Sequence, residues 1–192
     1  MIKHPYRLRN TWWRLVVNFI LLLAFALVFT NFVYSIVIVQ GNSMVPTLLP
    51  GEIALVPRYE TWLHRLGIKN FGQRDVVFFR SPIDQKRHLI KRIVATPGDR
   101  IIIKDGLVYI NGDLLFEPYL NQLTVTTNLP EIEISPGKVF VLSDNRRPLE
   151  SLDSRHFGQI PFGSVEGRAG IILWPPFVNF DNRLHRNIRV IK

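Results

Sequence analysis

The 192-residue chain contains no cysteine, and its histidines are few and scattered. Without thiols it can form neither disulfides nor thiolate metal sites, and cysteine cannot be its nucleophile. The histidines show no His-Glu-x-x-His or similar ligand spacing. We therefore expect no metal site, and the sequence implies no cofactor. The histidines are His4, His64, His88, His156 and His185.

Charge is absent from one long stretch, since no charged residue lies between Leu15 and Gly51. The net charge is nevertheless +9, which favours an acidic partner such as nucleic acid or anionic lipid. No recognised nucleic-acid motif accompanies the basic residues, so we expect a lipid bilayer as the partner and no nucleic acid. The basic residues crowd at both ends, as Lys3, Arg7, Arg9 and Arg14 and as Arg183, Arg186, Arg189 and Lys192.

The first part of the uncharged stretch, 15–34, has about the 20 mostly apolar residues needed to cross a bilayer. Trp12, Trp13 and Tyr34 stand at its edges, as interfacial aromatic residues do. A cleaved signal peptide has a similar pattern, but this apolar core is longer than a typical one and no small-x-small site closes it. We therefore predict an uncleaved anchor over 15–34, with 1–14 in the cytoplasm and 35–192 outside it.

Long helical periodicity is missing beyond the anchor, so we expect that part to be nearly all β. Turn pairs such as Asp105-Gly106 separate the strand signals and predict a two-residue hairpin there. Segment 59–71 interleaves apolar with basic residues, which is consistent either with contact to a membrane surface or with a loop folded onto the core. Strands are predicted over 35–40, 53–56, 75–80, 88–95, 100–104, 107–111 and 138–142.

A Gly-Asn-Ser-Met-Val-Pro-Thr stretch, 41–47, follows the apolar run. Gly41 lets another backbone approach closely, and Pro46 fixes the direction in which the chain leaves the turn. Both features would suit Ser43 as a nucleophile exposed to substrate. An ordinary turn has the same composition. Only partners elsewhere in the chain can distinguish the two interpretations.

A serine nucleophile needs a base, and without a histidine motif the candidates are lysines. Lys91 lies in the apolar segment 88–94, where period-two alternation places Leu89, Lys91 and Ile93 on one face. A free lysine titrates near ~10.4, and burial can lower that value by up to about 3 to 5 units. A base here therefore requires a dry, apolar environment. A solvated lysine on an edge strand is the alternative.

A dense polar segment, 143–158, directly follows the predicted strand 138–142. Such a segment suits a loop that orients other residues, although a solvated turn would look alike.

Together the three segments resemble, in order, the bacterial type I signal peptidases, which are membrane-anchored serine proteases with a Ser-Lys dyad. The resemblance implies a mainly β fold: one N-terminal transmembrane helix followed by an extracytoplasmic, β-barrel-like catalytic domain. Each motif alone is weak, and the ordered set is specific. The motifs are Gly-x-Ser-Met-x-Pro-Thr-Leu at 41–48, Ile-Lys-Arg at 90–92, Pro-Gly-Asp at 97–99, Asp-Asn-Arg at 144–146, Ser-x-Asp-Ser-Arg at 151–155, Gly-Arg-Ala at 167–169 and Trp-Pro at 174–175.

The resemblance also implies roles for single residues. Ser43 would be the nucleophile, Lys91 the general base, and Ser151 a hydrogen-bond partner that orients the lysine. The implied ion pairs are Asp144 with Arg92 and Asp153 with Arg155. The implied substrate is a preprotein, cut after its signal peptide at a small-x-small site such as Ala-x-Ala. The pocket would be lined by Val37, Val39, Met44, Leu48, Leu89 and Ile90.

Two features depart from the family pattern. Ser143 stands where the family usually has glycine, and four residues rather than two separate Arg146 from Ser151. A self-cleaving repressor would be another Ser-Lys protease, but that family lacks an anchor. A membrane-tethered β domain without enzymatic activity is the alternative of a different class.

Overall fold

The computed structural model describes residues 6–68, 70–120, 128–147, 152–173 and 189–191. Its first element is helix α1, Tyr6–Phe32. The window Thr11–Phe29 of this helix is long and apolar enough to cross a membrane, and none of it is buried against the rest of the protein. The predicted apolar helix is thus confirmed. The helix ends before Tyr34, which begins the first strand.

The rest of the described chain is mainly β, as the sequence predicted. Two short helices interrupt the strands, α2 at Tyr59–Arg65 and α3 at Ser154–Phe157, and a 3₁₀ turn covers Phe162–Ser164. The strands are β1 Tyr34–Ile38, β2 Ile53–Pro57, β3 Val76–Arg80, β4 His88–Ala95, β5 Arg100–Lys104, β6 Leu107–Ile110, β7 Asp113–Leu114, β8 Leu129–Glu133, β9 Lys138–Leu142, β10 Ile160–Pro161, β11 Val165–Arg168, β12 Ile171–Leu173 and β13 Arg189–Val190.

The described strands form three sheets, and their pairings are antiparallel. The orders are β1-β2-β12-β13, β10-β9-β4-β3-β11 and β7-β6-β5-β8. Strand β4 is therefore central in the second sheet, with β3 on one side and β9 on the other. Strand β1 lies at the edge of the first sheet.

The seven strands predicted from alternation and turn residues all form, with bounds that differ by at most two residues. The Asp105-Gly106 hairpin joins β5 to β6 in the register Lys104↔Leu107. Both turn residues have positive φ, 49° and 81°. A type I′ turn requires this conformation, and it matches the twist of the flanking strands.

Several strands escaped the sequence analysis because their composition is atypical. Strand β8 contains Pro130 and two glutamates, yet it lies at a sheet edge, where a missing backbone donor is tolerated. Strand β11 contains Gly167, which weakens a strand pattern. A Cβ at this position would lie 2.4 Å from Cγ1 of Val56, so the glycine allows β11 to approach β2 closely.

Segment 59–71 packs on the core with some of its side chains and exposes others, so that contact with a membrane surface stays a prediction. Glu60 and Thr61 of α2 are buried, and Phe71 belongs to a core cluster. The side chains of Trp62, Leu66 and Ile68 are instead 50%, 71% and 70% exposed. The segment therefore packs on the core and also presents apolar side chains outwards.

Candidate active site

The turn that carries Ser43 is held by backbone hydrogen bonds at its base. The Val39 amide donates to the Glu52 carbonyl at 2.8 Å, and the Gly51 amide donates to the Val39 carbonyl at 2.9 Å. Glu52 is buried, and its carboxylate accepts the Leu49 amide at 3.0 Å. The loop between β1 and β2 is thus a closed unit, which holds Ser43 in a defined position.

Lys91 reaches Ser43 from the central strand β4. Its Nζ donates to Ser43 Oγ at 2.8 Å, and the residue is only 2% exposed. Alternation predicted that Leu89 and Ile93 lie on one face of β4, and both pack in the same core cluster. The structure therefore brings together the proposed nucleophile and the proposed base, which lie 48 residues apart in sequence.

Burial lowers the pKa of Lys91 from 10.5 to about 8. The carboxylates of Asp153 and Asp144 oppose this shift, and the guanidinium of Arg155 adds to it. With a pKa of about 8, roughly one molecule in ten carries a neutral Lys91 at pH 7. A neutral amine can accept a proton from a serine hydroxyl, whereas an ammonium cannot.

Arg92, the next residue on β4, forms a buried ion pair with Asp144. Its Nε and Nη2 donate to the two carboxylate oxygens at 2.9 and 2.6 Å, and the two side chains are 1% and 0% exposed. Thr47 Oγ1 also donates to the Asp144 carboxylate. The pair therefore connects the sheet to the turn that carries Ser43.

Asn145 holds the same turn through its backbone and its side chain. Its amide donates to the Ser43 carbonyl at 2.9 Å, and its Nδ2 donates to the Asn42 carbonyl at 3.2 Å. Thr47 and Asn145 lay within recognised motifs, but spacing alone did not predict these contacts. Together they restrict the position of Ser43 relative to β4.

The polar loop after β9 is organised by Asp153. Arg155 Nε and Nη2 donate to its carboxylate at 2.9 and 2.8 Å, and the Ser143 amide donates at 3.1 Å. Burial of Asp153 works to raise its pKa, but the hydrogen bonds and charge of Arg155 outweigh it and hold that pKa below the usual range. Asp153 also caps α3 by accepting the Arg155 amide.

A further group of residues around Arg92 was missed by the sequence analysis. The Tyr119 ring centroid lies 3.9 Å from the Arg92 guanidinium carbon, and Tyr119 Oη donates to Glu117 at 2.7 Å. Glu117 in turn forms a buried ion pair with Arg146. No periodicity or motif marked the segment around Tyr119. Its contact with Arg92 was therefore visible only in the folded structure.

An open cleft of about 890 Å³ leads to Ser43 and Lys91. Strand β1 with Gln40 contributes one wall and residues 86–91 contribute another. Among the predicted pocket residues, Val37, Val39, Leu89 and Ile90 line this cleft. Met44 and Leu48 are 2% and 0% exposed and pack in a core cluster with Val39.

Ser151, the predicted orienting serine, lies outside the described residues, as does the Trp174-Pro175 motif. Its role therefore stays a prediction.

The sequence model of the family described as signal peptidase, peptidase S26, matches residues 12–174. The chain belongs to this family. A signal peptidase I from Bacillus caldolyticus is 35% identical over 158 residues, 75% of this chain and 81% of the relative. A mitochondrial ATP-independent inner membrane protease subunit 1a from Arabidopsis thaliana is 35% identical over 147 residues, 76% and 74% of the two chains.

A crystal structure of a signal peptidase I from Enterococcus faecalis is 31% identical, with a TM-score of 0.46 over 52% of this chain and 97% of that chain. Membership of the peptidase S26 family makes the protein a membrane-associated serine endopeptidase with signal peptidase I function.

Replacing Asp144 by asparagine tests the buried ion pair. Asp144→Asn leaves the Arg92 guanidinium buried without its counter-ion, which should lower the free energy of unfolding by about 3 kcal/mol and weaken the hold on the Ser43 turn. Denaturant unfolding of the full chain in detergent measures the effect. Asp113→Asn, at an exposed position on β7, should change stability by less than about 0.5 kcal/mol. Equal stability of the two variants would contradict the importance of the pair.

The buried amine of Lys91 should cost stability at neutral pH. Below pH 8 both folded and unfolded chains carry the charged lysine, and between about 8 and 10.5 only the unfolded chain does, so stability should rise with pH in that window. Lys91→Met removes the penalty and should be more stable than wild type at pH 7, by up to about 3 kcal/mol.

Thermal unfolding at pH 7 and pH 10 measures this difference. The advantage of Lys91→Met should shrink as the pH rises, whereas Lys104→Met, at an exposed position on β5, should show no such pH-dependent gap. An advantage that stays constant across the window would mean that the buried charge is not its cause.

Proposed function

We propose that the protein removes signal peptides from exported preproteins through a Ser43-Lys91 dyad, cutting after small-x-small sites such as Ala-x-Ala. The observation that carries this proposal is the 2.8 Å contact between Lys91 Nζ and Ser43 Oγ at the end of the cleft. Ser43 Oγ attacks the scissile carbonyl while neutral Lys91 accepts its proton. Lys91 then protonates the leaving amine and activates the water that hydrolyses the acyl-enzyme.

The tetrahedral intermediate carries a negative oxygen that needs hydrogen-bond donors. Gly41 has no side chain to offer a hydroxyl, so backbone amides, chiefly that of Ser43, would donate to this oxygen. Such donors contribute a few kcal/mol each to the stability of the transition state.

The substrate fits the cleft as an extended strand. Strand β1 lies at its sheet edge, and residues 88–91 of β4 pair with β3 but with no other described strand. A peptide can therefore add to these free backbone groups by β-augmentation, with alternate side chains entering pockets. Val37, Val39, Leu89 and Ile90 provide apolar walls, and such walls reject large side chains mainly by steric clash.

The anchor would place this cleft on the outer side of the membrane. Four basic residues precede the apolar span, and the positive-inside rule assigns them, with 1–14, to the cytoplasm. Residues 15–34 then cross the membrane, and 35–192 form the extracytoplasmic catalytic domain. Enzyme and signal peptide share one membrane, which raises the effective concentration of the substrate.

Cleavage of a preprotein with an Ala-x-Ala site tests the dyad. The detergent-solubilised wild type should cut after the second alanine, and Ser43→Ala and Lys91→Met should each lose at least about 10³-fold in kcat/KM, as loss of a catalytic unit does. Ser135→Ala and Lys104→Met serve as matched controls on other strands and loops and should keep the activity. No cleavage by wild type would favour a tethered binding domain without enzymatic activity. Cleavage by Ser43→Ala or Lys91→Met at the wild-type rate would contradict the dyad.

The dependence of the rate on pH tests Lys91 as the base. Because its pKa is about 8, kcat/KM should fall about tenfold per pH unit below that value and reach a plateau above it. Single-turnover cleavage between pH 6 and pH 10 gives the profile, and circular dichroism shows whether the fold is intact at each pH. A flat profile with an intact fold would rule out a titrating Lys91 as the base.

A further inference from the structure

A second cleft, of about 600 Å³, lies between α2 and the loop that joins β3 to β4. Its described lining shares no residue with the active-site cleft. Three arginines line it, Arg58, Arg65 and Arg80, and the acidic lining residue is Glu166. No step of the proposed reaction uses this cleft.

The charges in the second cleft favour an anion. Arg80 Nε donates to Glu166 at 2.8 Å, so this carboxylate offsets one of the three guanidinium groups. Arg58 and Arg65 are exposed, and with three arginines and one glutamate the described lining of the cleft carries a net positive charge. Guanidinium groups match the geometry of phosphate oxygens through paired N–H donors.

The cleft begins directly at the exit of the apolar helix. The Arg58 amide donates to the Val33 carbonyl at 2.8 Å, and the rings of Tyr34 and Tyr59 lie 6.0 Å apart. A seven-residue helix is about 10 Å long, so all of α2 lies close to the end of α1. If α1 crosses a bilayer, the start of α2 lies at the headgroup layer, which is about 5 to 8 Å thick on each side.

Exposed apolar side chains stand beside the basic residues. Trp62 lines the cleft and is half exposed, and Leu66 and Ile68 follow it with about 70% exposure. Tryptophan favours the membrane interface because its ring is apolar and its N–H is polar. Basic and apolar groups side by side on one short segment are typical of surfaces that contact both the headgroup and the acyl chains of a lipid.

We propose that this cleft binds the phosphate headgroup of an anionic membrane phospholipid. Arg58 and Arg65 contact the phosphate, and Trp62 and Leu66 lie against the acyl chains. The site depends on the protein being membrane-associated and not on the chemistry of Ser43 and Lys91. Preprotein cleavage, measured on the same samples, therefore separates a failure of this proposal from a failure of the proposed function.

The test is binding of phosphatidylglycerol, labelled with a fluorophore on an acyl chain, to the full chain in a neutral detergent. The double variant Arg58→Gln/Arg65→Gln should bind this lipid roughly tenfold more weakly than wild type, because each guanidinium near an anionic headgroup adds attraction. Labelled phosphatidylcholine, which has no net charge, should bind wild type more weakly than phosphatidylglycerol does.

A matched control removes the same charge elsewhere. Arg100→Gln/Lys104→Gln changes two exposed residues of β5, in a different sheet, and should bind phosphatidylglycerol within about twofold of wild type. The proposal is overturned if both double variants lose affinity equally, if Arg58→Gln/Arg65→Gln keeps wild-type affinity, or if free glycerol phosphate displaces the lipid at equal concentration. In the last case the cleft would be a site for soluble anions.

Discussion

The proposed catalytic site depends on keeping the amine of Lys91 dry beside the hydroxyl of Ser43. The lysine is 2% exposed and 2.8 Å from the serine oxygen, and it lies opposite Val77 of β3. Burial disfavours the ammonium, which costs stability and at the same time makes a neutral amine accessible near pH 8. In the proposed mechanism, stability and reactivity are therefore opposed at this one residue.

The surrounding charges are arranged in closed pairs. Arg92 is matched by Asp144 and Arg155 by Asp153, so each of these four charges has its counter-ion within hydrogen-bonding distance. The two carboxylates still favour a charged lysine, and burial outweighs them. Asp144 thus joins β4 to the loop after β9, and through Thr47 it also holds the turn that carries Ser43. Removing one partner of a pair would leave an uncompensated charge.

Local patterns predicted much of the fold, but not all of it. Alternation and turn residues located β4, β5 and β9, because strand period and turn conformation depend on neighbouring residues. They failed for β8, which contains Pro130. A proline is tolerated there because β8 lies at the edge of its sheet. The sequence of one strand does not show whether that strand becomes an edge. The contact of Tyr119 with Arg92 was not predicted either, because no residue near Tyr119 in sequence indicates that a distant guanidinium packs against its ring.

The sequence by itself determined the apolar helix, the mainly β character of the chain beyond that helix, and the order of the motifs that carry Ser43, Lys91 and Asp144. These features depend on composition and spacing along the chain. Only the tertiary structure decided that a serine and a lysine 48 residues apart meet at hydrogen-bonding distance. It also decided that the lysine is buried, because solvent exposure and a lowered pKa depend on how the sheets pack around a side chain.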